Sequence, residues 1–138
     1  LYIVLTTHHK FKAFFKNEPH SKQFYNLNHK SNALEITYLI LKEFNNLALK
    51  KNQTPLVTII PHCKDLKYYK NNKKIPYQNL KDKLDLGKIL YLDFLPEIFL
   101  RSPNFKELYN KDCKGQHFNK KGNIIISEIL YDFLKKNF

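Results

Sequence analysis

The sequence predicts one α/β domain over residues 1–138, a three-layer α/β/α sandwich on a parallel sheet. Three observations predict it. Apolar runs rich in β-branched and aromatic residues recur at Leu1–Thr6, Pro55–Ile60 and Lys88–Asp93. Helical-period segments lie between them, and the turns joining them are short. Strand and helix in alternation give right-handed βαβ units and a parallel sheet.

Leu1–Thr6 reads as a buried strand and Phe11–Lys16 as a short helix, which Pro19 cuts off into a loop. Asn32-Ala-Leu-Glu35 has the spacing of a capping box and opens a helix running to about Lys50. Its residues Ile36, Ile40, Phe44 and Leu47 recur at 4, 4 and 3, the spacing of one buried stripe. Pro55–Ile60 is apolar throughout, as a central parallel strand is, and Pro61 stops it. Asp65–Asn72 is charged, a short helix or a loop, and Lys70–Lys74 is a solvated bulge. Tyr77–Leu84 forms the next helix and Gly87 ends it. Lys88–Asp93 is a strand with an acidic residue at its carboxyl end, followed by a turn or two of helix at Leu95–Leu100 and a loop at Ser102–Cys113. Lys120–Lys136 is the last helix, with Ile125, Ile129 and Phe133, and with them Ile126 and Leu130, toward the core. Three strands make a thin sheet and leave apolar surface uncovered. A missing N-terminal segment or a homo-oligomer partner is expected to cover it.

Composition narrows the function classes. A 43% hydrophobic content excludes a disordered chain, and no apolar run approaches a membrane span. The formal charge is +12, but it is carried almost wholly by lysine, with Arg101 the sole arginine. Base and phosphate recognition favours the arginine fork, so the charge reads as a solvated basic surface rather than a nucleic-acid face. Lys10, Lys12 and Lys16 interleave with Phe11, Phe14 and Phe15, a pattern that suits either core packing or contact with a membrane surface. Cys63 and Cys113 read as two free thiols, with pairing left open should the fold bring them together. A zinc site from His62, Cys63, Cys113 and His117 is the weaker alternative, because adjacent side chains on extended backbone diverge. No cofactor is implied, and the cellular compartment is not legible.

In doubly wound sheets, ligands gather at the carboxyl ends of strands. Thr7-His8-His9, His62-Cys63 and Asp93 stand there, and the loop bearing His117 is expected to join them. His117 precedes Asn119, a helix-capping residue, so its backbone is held while its ring stays reachable. That combination suits a general base, with either the Asp112 carboxylate or a backbone carbonyl orienting the imidazole.

The run Asp112-Cys-Lys-Gly-Gln-His117-Phe-Asn119-Lys-Lys-Gly122-Asn123, followed by an apolar helix, resembles the last block of the SGNH/GDSL hydrolases. The strand ending Ile-Ile-Pro61 and the strand ending Leu-Asp93-Phe-Leu-Pro96 are similar to the second half of such a domain, and the resemblance spans Asn32 to Phe138. It implies a flavodoxin-like sheet of the SGNH type without its N-terminal part. It also implies hydrolysis or transfer of an ester, such as an acetyl group on a carbohydrate or lipid, with His117 as base and Asp112 its partner. The chain departs from the family in lacking the Gly-Asp-Ser nucleophile turn and the Gly-x-Asn-Asp oxyanion block. Asp112 also stands five residues before His117 instead of two or three. The serine is therefore expected upstream, and the chain alone is expected to be inactive. The competing expectation is a catalytically silent α/β binding or scaffold domain with a basic surface.

Overall fold

The computed structural model describes residues 18–113 and 117–138. The expected strand Leu1–Thr6 and helix Phe11–Lys16 lie outside them. The architecture is mixed α/β: several helices pack around a two-stranded parallel sheet. Helix α1 (His20–Phe24) follows Pro19, where the sequence suggested a loop. Proline tolerates the start of a helix because its missing N–H has no intrahelical partner there.

Helix α2 (Ala33–Lys50) has the expected limits but neither the expected cap nor the expected buried face. Asn32 adopts a left-handed conformation, φ 50°, and its side chain caps nothing. Glu35 instead pairs with Lys83 at 2.5 Å. The buried face carries Ala33, Leu34 and Ala48, with Tyr38 and Leu41 packed against the same cluster. Ile36, Ile40, Phe44 and Leu47 point outward, each about half exposed or more. The helix is apolar on two sides, and the sequence pattern alone does not tell which one the domain buries.

Strand β1 (Val57–Ile59) is the centre of the expected apolar run. Helix α3 (Cys63–Asn72) and helix α4 (Gln78–Leu86) make the crossover to β2 (Tyr91–Asp93), in the register Val57↔Tyr91, Thr58↔Leu92 and Ile59↔Asp93. Gly87 follows α4 as expected, but in a right-handed conformation. Glycine there lets the Tyr38 side chain come close: a Cβ would lie 2.8 Å from its hydroxyl. The left-handed residue is Lys88, φ 52°.

Helix α5 (Phe94–Arg101) starts directly from β2, and 3-10 turns at Phe105–Leu108 and Asn110–Cys113 occupy the expected loop. Helix α6 (Lys120–Asn137) closes the described chain. Ile125 and Ile129 are buried, with Ile126, Leu130 and Phe133 partly buried against the same cluster, as its periodicity predicts. Two apolar clusters serve the sheet. One joins Val57 to α2 and α4, and the other joins Leu92 to α3, α5, α6 and the first 3-10 turn.

The two cysteines are not free thiols. Cys63 at the start of α3 and Cys113 at the end of the second 3-10 turn form a disulfide, Cα–Cα 5.7 Å. Disulfide sulfurs are no longer thiolates, so the zinc alternative fails with them. No group of three His, Cys, Asp or Glu among the described residues could hold a metal ion. No helix among them is long and apolar enough to cross a membrane.

Candidate functional site

Asn119 organises the approach to α6. Its Oδ1 accepts the Gly122 N–H at 3.0 Å, the N-cap bond that the sequence suggests. Its Nδ2 donates to the Glu107 carbonyl at 2.7 Å, and its own N–H donates to the Leu108 carbonyl at 2.9 Å. Gly122 lies so close to the preceding segment that a Cβ would stand 2.3 Å from the Leu108 carbonyl oxygen. The Asn-x-x-Gly spacing is therefore a local necessity: asparagine ties two segments to one helix end, and glycine lets them touch.

The same ties hold the backbone of His117. Tyr109 and Phe118 form an antiparallel bridge, and the Asn110 N–H donates to the His117 carbonyl at 3.0 Å. The Tyr109 and Phe118 rings pack 4.4 Å apart. Tyr109 is buried and its hydroxyl donates to the Pro61 carbonyl at 2.7 Å, which anchors the loop to the end of β1. Burial pushes the Tyr109 phenol well above its ordinary range, so it stays neutral. His117 itself is exposed. A clamped backbone thus carries an open imidazole.

Asp112 is exposed as well, and no hydrogen bond or ion pair joins it to His117. Lys111, Asp112 and Cys113 all take positive φ, 51°, 49° and 75°. Three such non-glycine residues in a row are strained, and the disulfide ends the strained run.

A cleft of about 1020 Å³ opens beside β1, and the disulfide forms part of its wall. Among its lining residues are His20, Ser21, His62, Asp65 and Tyr77. His117 is not among them. Asp65 is 3% exposed, and it accepts the His62 N–H at 2.8 Å and the Ser21 hydroxyl. Burial raises the Asp65 carboxyl above its ordinary range, while the Ser21 hydroxyl and the His62 N–H pull it back. Sequence reasoning placed His62 at a strand end but missed Ser21 and Asp65, which stand 44 residues apart and meet only in the fold.

Asp93, the acidic strand end, serves structure. It caps α5 through the Leu95 N–H at 3.0 Å, accepts the Tyr77 hydroxyl at 2.7 Å and pairs with Lys81 at 2.8 Å. The four serines are also engaged. Ser21 donates to Asp65, Ser102 to Glu107 and Ser127 to the Ile124 carbonyl, and Ser31 meets His29 two residues away in an exposed turn. None of them bonds to His117.

Compared with known proteins, the chain matches no family model, no curated protein and no solved structure.

Proposed function

We propose that this chain is the histidine-bearing part of an SGNH-type three-layer domain that hydrolyses or transfers an ester, with His117 as the general base. One observation carries the reading: the His117 carbonyl and the residues that follow it are held by neighbouring bonds while His117 itself is exposed. A base must keep its orientation and still reach the substrate, and this loop meets both demands. The order of elements from α2 to α6 and the Asn-x-x-Gly start of α6 agree with the resemblance drawn from the sequence.

In this reading the imidazole takes the proton of a serine hydroxyl as its oxygen attacks the acyl carbon. It then returns that proton to the leaving alkoxide. The attacking serine comes from polypeptide beyond this chain, since its own serines are bonded elsewhere. Asp112 is the proposed orienting carboxylate. It lies on the 3-10 turn that precedes the loop.

A fluorophosphonate probe labels a serine only where a base activates it, which makes it a direct test. The full-length protein that supplies the serine should be labelled, and His117→Ala in it should lose labelling while retaining its circular dichroism. Equal labelling of both proteins would remove His117 from the mechanism. No labelling of either would favour the silent binding domain.

A further inference from the structure

The formal charge of +12 is not spread evenly over the described helices. Helix α2 mixes Lys42 and Lys50 with Glu35 and Glu43, and α6 mixes Lys121 and Lys135 with Glu128 and Asp132. In α4, Asp82 and Asp85 stand among the lysines. Helix α3 is different. Its one acidic residue, Asp65, is 3% exposed and is engaged by the His62 N–H and the Ser21 hydroxyl. The helix therefore shows solvent no carboxylate.

What it shows instead is lysine. Lys64, Lys67 and Lys70 recur every third residue, and residues at that spacing are neighbours along one side of a helix. Lys73 and Lys74 extend the run past its end. All five are exposed, as are Asn71 and Asn72 between them. The other side of the helix is the packed one, with Leu66 fully buried and the Tyr69 ring against Phe99. Elsewhere lysines find carboxylates: Lys22 pairs with Glu18, Lys81 with Asp93, Lys83 with Glu35 and Lys121 with Glu107. None of the five on and after α3 has an ion pair among the described residues. Like charges three and four positions apart repel, a cost that an anionic partner removes.

We propose that this face docks on an anionic lipid surface. Lysines are point charges that attract diffuse negative charge, and they lack the fork with which arginine reads bases and grips phosphate. The row from Lys64 to Lys70 is straight over a rise of about 9 Å, so it meets a plane along its whole length. The exposed positions of α3 are all lysine or asparagine. They offer no aromatic ring for a base to stack on and no apolar side chain to enter the acyl region. The attachment is therefore electrostatic, reversible and screened by salt. It stands whether or not His117 is a base.

Sedimentation of the intact protein with phosphatidylcholine vesicles containing about one-third phosphatidylserine tests it. Binding is expected at about 50 mM salt and should be lost by about 500 mM. Vesicles of phosphatidylcholine alone should not bind. Lys64→Gln, Lys67→Gln, Lys70→Gln and Lys74→Gln together should weaken binding by about 10²-fold or more. A control with the same change in charge, Lys42→Gln, Lys50→Gln, Lys135→Gln and Lys136→Gln, should lose far less. All of these positions are exposed, so the fold should survive both sets of changes. Equal loss in the two variants would overturn the proposal, since net charge and not this face would then be responsible. So would failure to bind the anionic vesicles, or equal binding to neutral ones. Tighter binding to a single-stranded oligonucleotide, lost with the same four lysines, would overturn it too and assign the face to nucleic acid.

Discussion

At the scale of single residues, Asn119 and Gly122 carry distinct parts of one junction. Asn119→Ala removes the N-cap bond and the tie to Glu107 together, and should lower stability by about 1–2 kcal/mol in urea unfolding. Gly122→Ala leaves those bonds in place but drives a methyl into the Leu108 carbonyl. It should cost about 1–3 kcal/mol and disturb the backbone of the loop as well. An alanine at 122 that unfolds like the unaltered protein would show that the contact relaxes freely.

Asp65 sets a pH dependence. Its carboxyl is raised in the folded protein, so between its ordinary value and the raised one the native state holds a proton that the unfolded chain has released. Stability therefore falls as pH rises through that window. Relative to Asp65→Asn, which has no such titration, the unaltered protein should lose stability from pH 4 upward, and then level off. A difference that stays flat or grows with pH would contradict the burial of this carboxyl.

At the scale of elements, the sequence was most informative where one apolar stripe had no rival. Ile125 and Ile129 in α6 follow their periodicity into the core, and the apolar runs around β1 and β2 hold both strands. Helix α2 defeated the same reasoning. Leu34, Tyr38, Leu41 and Ala48 are spaced as helically as Ile36, Ile40, Phe44 and Leu47, and Leu34, Tyr38 and Leu41 pack in one cluster with Leu80 and Leu84 of α4. Such a choice is tertiary, and no local pattern contains it. The Cys63–Cys113 disulfide was hidden for a similar reason, as its partners stand 50 residues apart. In the chain-entropy account a loop of that length contributes about 4 kcal/mol. Cys63→Ser with Cys113→Ser should lower stability by about 2–4 kcal/mol, measured in urea. A loss below about 0.5 kcal/mol would mean that the bond constrains little of the unfolded chain.

At the scale of the whole molecule, helices pack on a narrow parallel sheet, with His62 and Asp65 beyond the carboxyl end of β1 in the wall of the cleft. Tyr109, which bridges to Phe118 beside His117, is tied to that end through Pro61, while His117 itself does not line the cleft. How much of this was legible follows from distance along the chain. His117, Asn119 and Gly122 form a contiguous signal, whereas Ser21 and Asp65 meet only after folding. The proposed base is tested most directly by turnover of a chromogenic acetyl ester by the full-length protein that supplies the serine and by its His117→Ala variant. The account predicts a loss of about 10²–10⁴-fold in the variant with its thermal unfolding unchanged. Equal turnover by both proteins would contradict it.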